Sequence, residues 1–152
     1  RRGGTENISG IISLAAVAEG IAEGIETFEA VSQERDRFEA AVLALGGTRV
    51  VSSKAPRLPN TSLVLFKGLQ GDDLQDALEI LGVVVGTGSA CSSHKKESSA
   101  TLRAMGYSAE ESHSAVRFSM PPHLSSEEVD QVFSLLEMGL ESLRQGVFPV
   151  PE

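Results

Sequence analysis

The chain holds one cysteine, Cys91, inside "GTGSACSSHKKESS", residues 86–99. A thiolate is a strong nucleophile, and nearby positive charge favours it over the thiol. His94, Lys95 and Lys96 place such charge within a few residues. Gly86, Gly88, Ser89, Ser92 and Ser93 give the flanks backbone freedom and little to pack. A loop over residues 86–98 would reach up to ~40 Å at full stretch. That length can carry a thiol between two places. The competing reading is a free cysteine serving as a small hydrophobe, since free cysteines are often buried.

Two other stretches carry chemistry-bearing residues. In "AVRFSM", residues 115–120, strand alternation puts Val116, Phe118 and Met120 on one face and Ala115, Arg117 and Ser119 on the other. A guanidinium between two small residues has room for a carboxylate held by two hydrogen bonds. The alternative for Arg117 is a surface ion pair with Glu110 or Glu111. "RRGGTEN", residues 1–7, sets two arginines, two glycines and the Thr5 hydroxyl before a helix start, a combination that suits a phosphate. It lacks the glycine and lysine spacing of a phosphate loop, and a solvated terminus fits it equally. His94, His113 and His123 have no metal-ligand spacing with one another or with Cys91, so no metal site is expected. "GTGSA" lacks the strand-to-helix elbow and partner acid of a serine nucleophile.

The elements that must position these residues follow from periodicity. Leu14, Val17, Ile21, Ile25 and Phe28 recur at helical steps, and Val31, Phe38, Val42 and Leu45 continue the stripe. One long helix or two in tandem are expected, capped by Thr5 or Asn7 and ended by Gly46-Gly47. Gly20 and Gly24 mark a bend or a close contact within it. "TRVVSS" is a short β-branched run, and "NTSLVLFKG" is a strand after a loop bounded by Pro56 and Pro59. "GDDLQDALEILG" is a helix with acids in its first turn. "VVV", residues 83–85, is expected to be a buried strand leading into the Cys91 loop. "SSATLRAMG" and "SAEESH" are short helical stretches before the "AVRFSM" strand. The last helix starts from a capping box at Ser125 to Glu128, with Leu135, Met138 and Leu143 among its core candidates. Helices alternating with three to four short strands give an α+β fold: a small sheet covered by helices.

Composition bounds the function. One domain of 152 residues, 1–152, buries roughly 70% of its unfolded surface. The net charge of -8 excludes a nucleic-acid face. No run approaches the ~20 apolar residues of a membrane span, and no secretory leader is read. A single cysteine cannot form an internal disulfide, so the cytosol is the expected compartment. The chain opens on "RRGGTENISG" without an initiating methionine, and the expectation is a piece of a longer protein.

Taken together, "RRGGTEN", "LPNTSLVLF", "GVVVGTGSACSS", "TLRAMG", "SHSAVRFSM" and "SSEEVDQV" resemble the C-terminal part of NifS/IscS-type cysteine desulfurases of the class V aminotransferase family. They follow the family's order and nearly its spacing from Arg1 to about Leu143. The resemblance implies the small C-terminal domain of a fold-type I enzyme that depends on pyridoxal phosphate. Such enzymes take sulfur from L-cysteine, release alanine and leave a persulfide on a loop cysteine. It makes Cys91 the sulfur acceptor, Arg117 the binder of the substrate carboxylate, and Thr5 a contact to the cofactor phosphate of the partner subunit in a homodimer. The long loop matches the branch that feeds iron–sulfur cluster assembly, which implies a sulfur-acceptor or scaffold protein as partner.

The chain departs from the family in three respects, one of them the missing proline that the family usually has in the loop after the cysteine. The Schiff-base lysine of the family precedes the segment at residue 1, so no covalently bound cofactor and no activity are expected of this chain alone. "SSHK", residues 92–95, imitates that lysine signature but follows the cysteine and continues as "KESS", which leaves Lys95 a loop cation. Pro121-Pro122 also stand where the family usually has Gly-Arg, and this alters the turn out of the strand. The other readings are a persulfide carrier without catalysis and a related class V enzyme such as a selenocysteine lyase. Apolar surface that would face the missing domain and the dimer partner is expected to be exposed, with self-association through the stripe from Ile11 to Phe28.

Overall fold

A computed structural model of the chain describes residues 3–87 and 98–147, with backbone alone at 22 and 23. The N-terminal stripe forms three helices, not one or two: α1 Ile8–Glu19, α2 Ile21–Ala30 and α3 Ser32–Ala44. The first break falls at Gly20, where the sequence led us to expect a bend. The second falls at Val31, whose side chain is buried in the core. Of the two candidate caps, Asn7 does the capping: its Oδ1 accepts the Gly10 N–H at 3.0 Å. Gly46 and Gly47, at φ +72° and +70°, turn the chain back into β1, Thr48–Val50.

The remaining elements are β2 Thr61–Phe66, α4 Gly71–Ile80, β3 Gly86–Thr87, α5 Ala100–Ala104, α6 Ala109–His113, β4 Ala115–Ser119 and α7 Ser126–Arg144. The four strands form one antiparallel sheet in the order β1-β2-β4-β3. This is the expected α+β arrangement.

The sheet separates two apolar clusters. On one face Val64, Phe66, Val116 and Phe118 meet Phe38 and Val42 of α3, Leu74 and Leu78 of α4, and Leu136 and Leu140 of α7. The Phe38 and Phe118 rings lie 4.8 Å apart in a tilted contact at the centre. The other face carries Val51, Leu65, Leu102, Tyr107 and Ala115. The alternation expected for β4 holds: Val116, Phe118 and Met120 join the main core, while Arg117 and Ser119 are exposed.

Two expectations are corrected. Residues 83–85 are not a strand. α4 ends with Gly82 at φ +84°, and the Val83 N–H donates to Leu78 O at 2.8 Å while the Gly82 N–H donates to Glu79 O at 3.0 Å. This pair of bonds closes the helix C-terminus. Val83 thus belongs to the helix end, Val84 is 86% exposed, and the strand waits until Gly86. α7 begins with the expected capping box, but its buried positions are Val129, Leu136, Gly139 and Leu140. Met138 is exposed, and Leu143 only borders the core.

Among the described residues no single helix is long and apolar enough to cross a membrane.

Candidate functional site

Arg117 stands in the middle of β4, opposite Leu63 of β2 on one side and Gly86 of β3 on the other. Among the described residues its guanidinium has no hydrogen bond or ion pair. The two acids that sequence offered as partners point elsewhere. Glu111 accepts from Arg49 at 3.1 Å and, through Oε2, from the Ser108 N–H at 2.8 Å in the capping box of α6. Glu110 and Glu111 both line a separate cavity of about 400 Å³ beside Arg49 and Lys67. The surface ion pair expected as the alternative for Arg117 is therefore not formed.

Gly86 gives the guanidinium its place. A Cβ at residue 86 would come within 2.9 Å of Arg117 Nη2 and 3.4 Å of Cζ. The side chain thus lies flat across the bare backbone of β3. Sequence reading saw Gly86 only as a source of loop flexibility. Its role becomes visible only once pairing sets it across from the arginine.

On the same sheet face, Leu63 lines a cavity of about 330 Å³. Its walls are mainly apolar, with hydroxyls at Ser52, Thr61, Ser99 and Thr101 and a guanidinium at Arg57. The loop over residues 51–60 forms one side and is tied down three times. Arg57 donates to both oxygens of Glu39 at 2.5 and 2.7 Å. Arg35 donates to Leu58 O at 2.9 Å. Asn60 Nδ2 donates to Met120 O at 3.2 Å, and Asn60 O accepts the Met120 N–H at 2.8 Å. Glu39 and Arg35 are buried on α3. Periodicity gave no signal for them, because long charged side chains on a helix normally face water.

Cys91 lies outside the described residues, as do His94, Lys95 and Lys96. The residues on either side of that stretch are held by the sheet and by α6. Thr87 pairs with Val116 in the sheet. Ser99 lines the 330 Å³ cavity, donates its N–H to Ser112 Oγ at 2.7 Å, and caps α5 by accepting the Leu102 N–H at 3.4 Å.

Thr5 is exposed, two residues before the cap of α1, beside Gly4 at φ +124°. No described interaction joins it to Arg117. The Pro121-Pro122 turn sits against the helical arm: Pro122 and His123 line a small cleft with Gly20, Gly24 and Thr27. No group of described His, Cys, Asp or Glu residues could hold a metal ion.

For pyridoxal phosphate the fit is partial. An exposed Thr5 hydroxyl next to open glycine backbone suits one edge of a phosphate. Arg117, exposed and without a partner among the described residues, suits a carboxylate.

Comparison with known proteins matches this arrangement to a family. The aminotransferase class V profile matches residues 1–132. Cysteine desulfurase 2 of Trichormus variabilis is 36% identical over 145 residues, 95% of this chain and 36% of that protein. A cysteine desulfurase of Bradyrhizobium diazoefficiens is 40% identical over 132 residues, 86% of this chain and 34% of its own length. The crystal structure of a NifS-like protein from Rickettsia africae superposes with a TM-score of 0.72 at 21% identity, covering 92% of this chain and 36% of that one. The chain thus spans only about a third of the length of the relatives it matches. With the profile running from the first residue into α7, the chain belongs to the aminotransferase class V family.

Proposed function

We propose that this chain is the small, C-terminal domain of a cysteine desulfurase, with the cofactor-binding lysine domain lying outside it. The observation that supports this best is the exposed Arg117 guanidinium, laid over Gly86 on the strand that leads into the Cys91 stretch. In this reading Arg117 holds the carboxylate of L-cysteine with two hydrogen bonds. Cys91, as thiolate, attacks the substrate sulfur. The substrate C–S bond breaks as an S–S bond forms, the carbon gains hydrogen and leaves as alanine, and Cys91 keeps the persulfide. Pyridoxal phosphate, when bound, supplies an electron sink for the substrate's developing negative charge. Thr5 reaches the phosphate of the partner subunit's cofactor in a homodimer. A loop anchored at both ends can accept sulfur at the site and hand it to an iron–sulfur scaffold or other acceptor in the cytosol.

The test has two arms. The isolated chain, given pyridoxal phosphate and L-cysteine, is expected to show neither cofactor absorbance nor sulfide. Either signal overturns the division of labour proposed here. In the full-length polypeptide, Cys91→Ser abolishes persulfide formation, and Arg117→Ala raises KM for L-cysteine at least tenfold, about 1.4 kcal/mol or more of lost substrate binding. A full-length protein that forms a persulfide without Cys91 would sink the assignment. One without any upstream lysine domain would favour a carrier.

A further inference from the structure

The strand that carries Arg117 is held unevenly on its two sides. β2 runs beside β4 from Thr61, opposite Ser119, to Leu65, opposite Ala115. β3 meets only Arg117 and Val116, through Gly86 and Thr87. From Phe118 onward, among the described residues, the sheet fixes β4 from the β2 side alone. The ladder also ends there, because Met120 is followed by Pro121, which has no N–H for a further rung. The last rung sets Asn60 against Met120. An ordinary antiparallel rung of this kind is two backbone hydrogen bonds. Here one is of that type: the Met120 N–H donates to Asn60 O at 2.8 Å. The other comes from a side chain: Asn60 Nδ2 donates to Met120 O at 3.2 Å. Thr61 Oγ1 donates to Asn60 Oδ1 at 3.3 Å, which leaves the amide nitrogen facing Met120.

We propose that Asn60 is a positioning residue for Arg117, an inference that rests on the reading of Arg117 as the holder of the substrate carboxylate. Arg117 lies three residues before Met120 on the same strand. Its guanidinium has to stay over Gly86, where a Cβ would stand 2.9 Å from Nη2. A carboxylate gripped by two hydrogen bonds demands the right plane as well as the right distance. Displacing such a group by about 1 Å can cost about 10²-fold in rate. Asn60 acts on substrate only through β4, by keeping the end of the strand from fraying back toward Arg117. The residue type suits the task. A side-chain amide carries a donor and an acceptor on one short stem. Aspartate keeps that shape and has no donor, and alanine has neither group.

A spectroscopic and a kinetic measurement test it. In the 152-residue chain, Asn60→Ala and Asn60→Asp are both expected to shift the Nε–Hε resonance of Arg117. Val129→Ala, an ordinary core truncation on α7, is expected to lower stability and leave that resonance in place. In the full-length polypeptide, Asn60→Ala is expected to raise KM for L-cysteine about tenfold with kcat within about twofold of wild type. Combined with Arg117→Ala it should add nothing further, because both changes remove the same contact. Resonances unmoved in both Asn60 variants overturn the proposal. So does a KM effect that adds in full to that of Arg117→Ala. If Arg117→Ala leaves KM unchanged while the Asn60 variants shift the resonance, the positioning stands and the carboxylate reading falls.

Discussion

Arg117 shows how little a residue's type says without its neighbours. An arginine on a strand near two glutamates is usually a surface ion pair. Here Glu111 is engaged by Arg49 and by a helix cap, and the open partner of Arg117 is the bare backbone at Gly86. Gly86→Val is therefore expected to shift the Nε–Hε resonance of Arg117 without lowering stability, since the atom it strikes is the free end of a flexible side chain and valine favours strands. An unmoved resonance would show that the guanidinium does not rest there. Arg57 and Glu39 make the opposite case. Their side chains are 18% and 8% exposed, and removing one partner of a buried pair strands the other. Arg57→Ala is expected to cost about 3 kcal/mol in urea denaturation, because the deeper Glu39 carboxylate loses its counter-charge. Glu39→Ala costs less, because Arg57 can swing its head toward water. The reverse order would mean that Glu39 is better solvated than its position implies.

At the scale of elements, the ends were more legible than the middles. The capping box at Ser125 lies open in the sequence, because Ser-x-x-Glu states its own hydrogen bonds, while the one at Ser108, read only as a helical stretch, emerges from the structure. Residues 83–85 were not legible, because three valines satisfy a strand pattern whether or not a helix end claims the first of them. The α7 box also makes a pH prediction. The Glu128 carboxylate is held below its ordinary value of 4.5, first by the backbone N–H of Ser125 and then by that residue's side chain. A lowered folded-state value means the charged form stabilises the fold. That contribution is fully present above the unfolded value and is lost as pH falls through the lowered one. In urea titrations, wild type should exceed Glu128→Gln at about pH 7, and the gap should shrink as pH falls below the ordinary carboxylate value. A gap that persists in acid would assign the effect to shape and not to charge.

For the molecule as a whole, the α+β class and the order of elements followed from punctuation: paired glycines, prolines and caps between periodic runs. The candidate site was only half legible. Cys91 and Arg117 were visible as residue types, but the cavity wall was not. It depends on Arg35 and Glu39, charged side chains buried on α3, and on Asn60 clasping Met120 across the sheet. Such long-range pairs leave no local pattern. The helical count was misjudged because three short helices share one apolar stripe, and only packing at Val31 reveals the second break.

The sheet's strand order carries one more consequence, for how this protein fails when concentrated. Its apolar central segment, Leu63 to Phe66, is locked between β1 and β4. Among the described residues the outer strands span three and two residues. Edges that short give an incoming strand almost nothing to template on. Aged, concentrated samples should lose protein as helical oligomers or amorphous precipitate while a cross-β dye such as thioflavin T stays dark. A bright dye signal would mean that the two brief outer strands had peeled away and freed the central one.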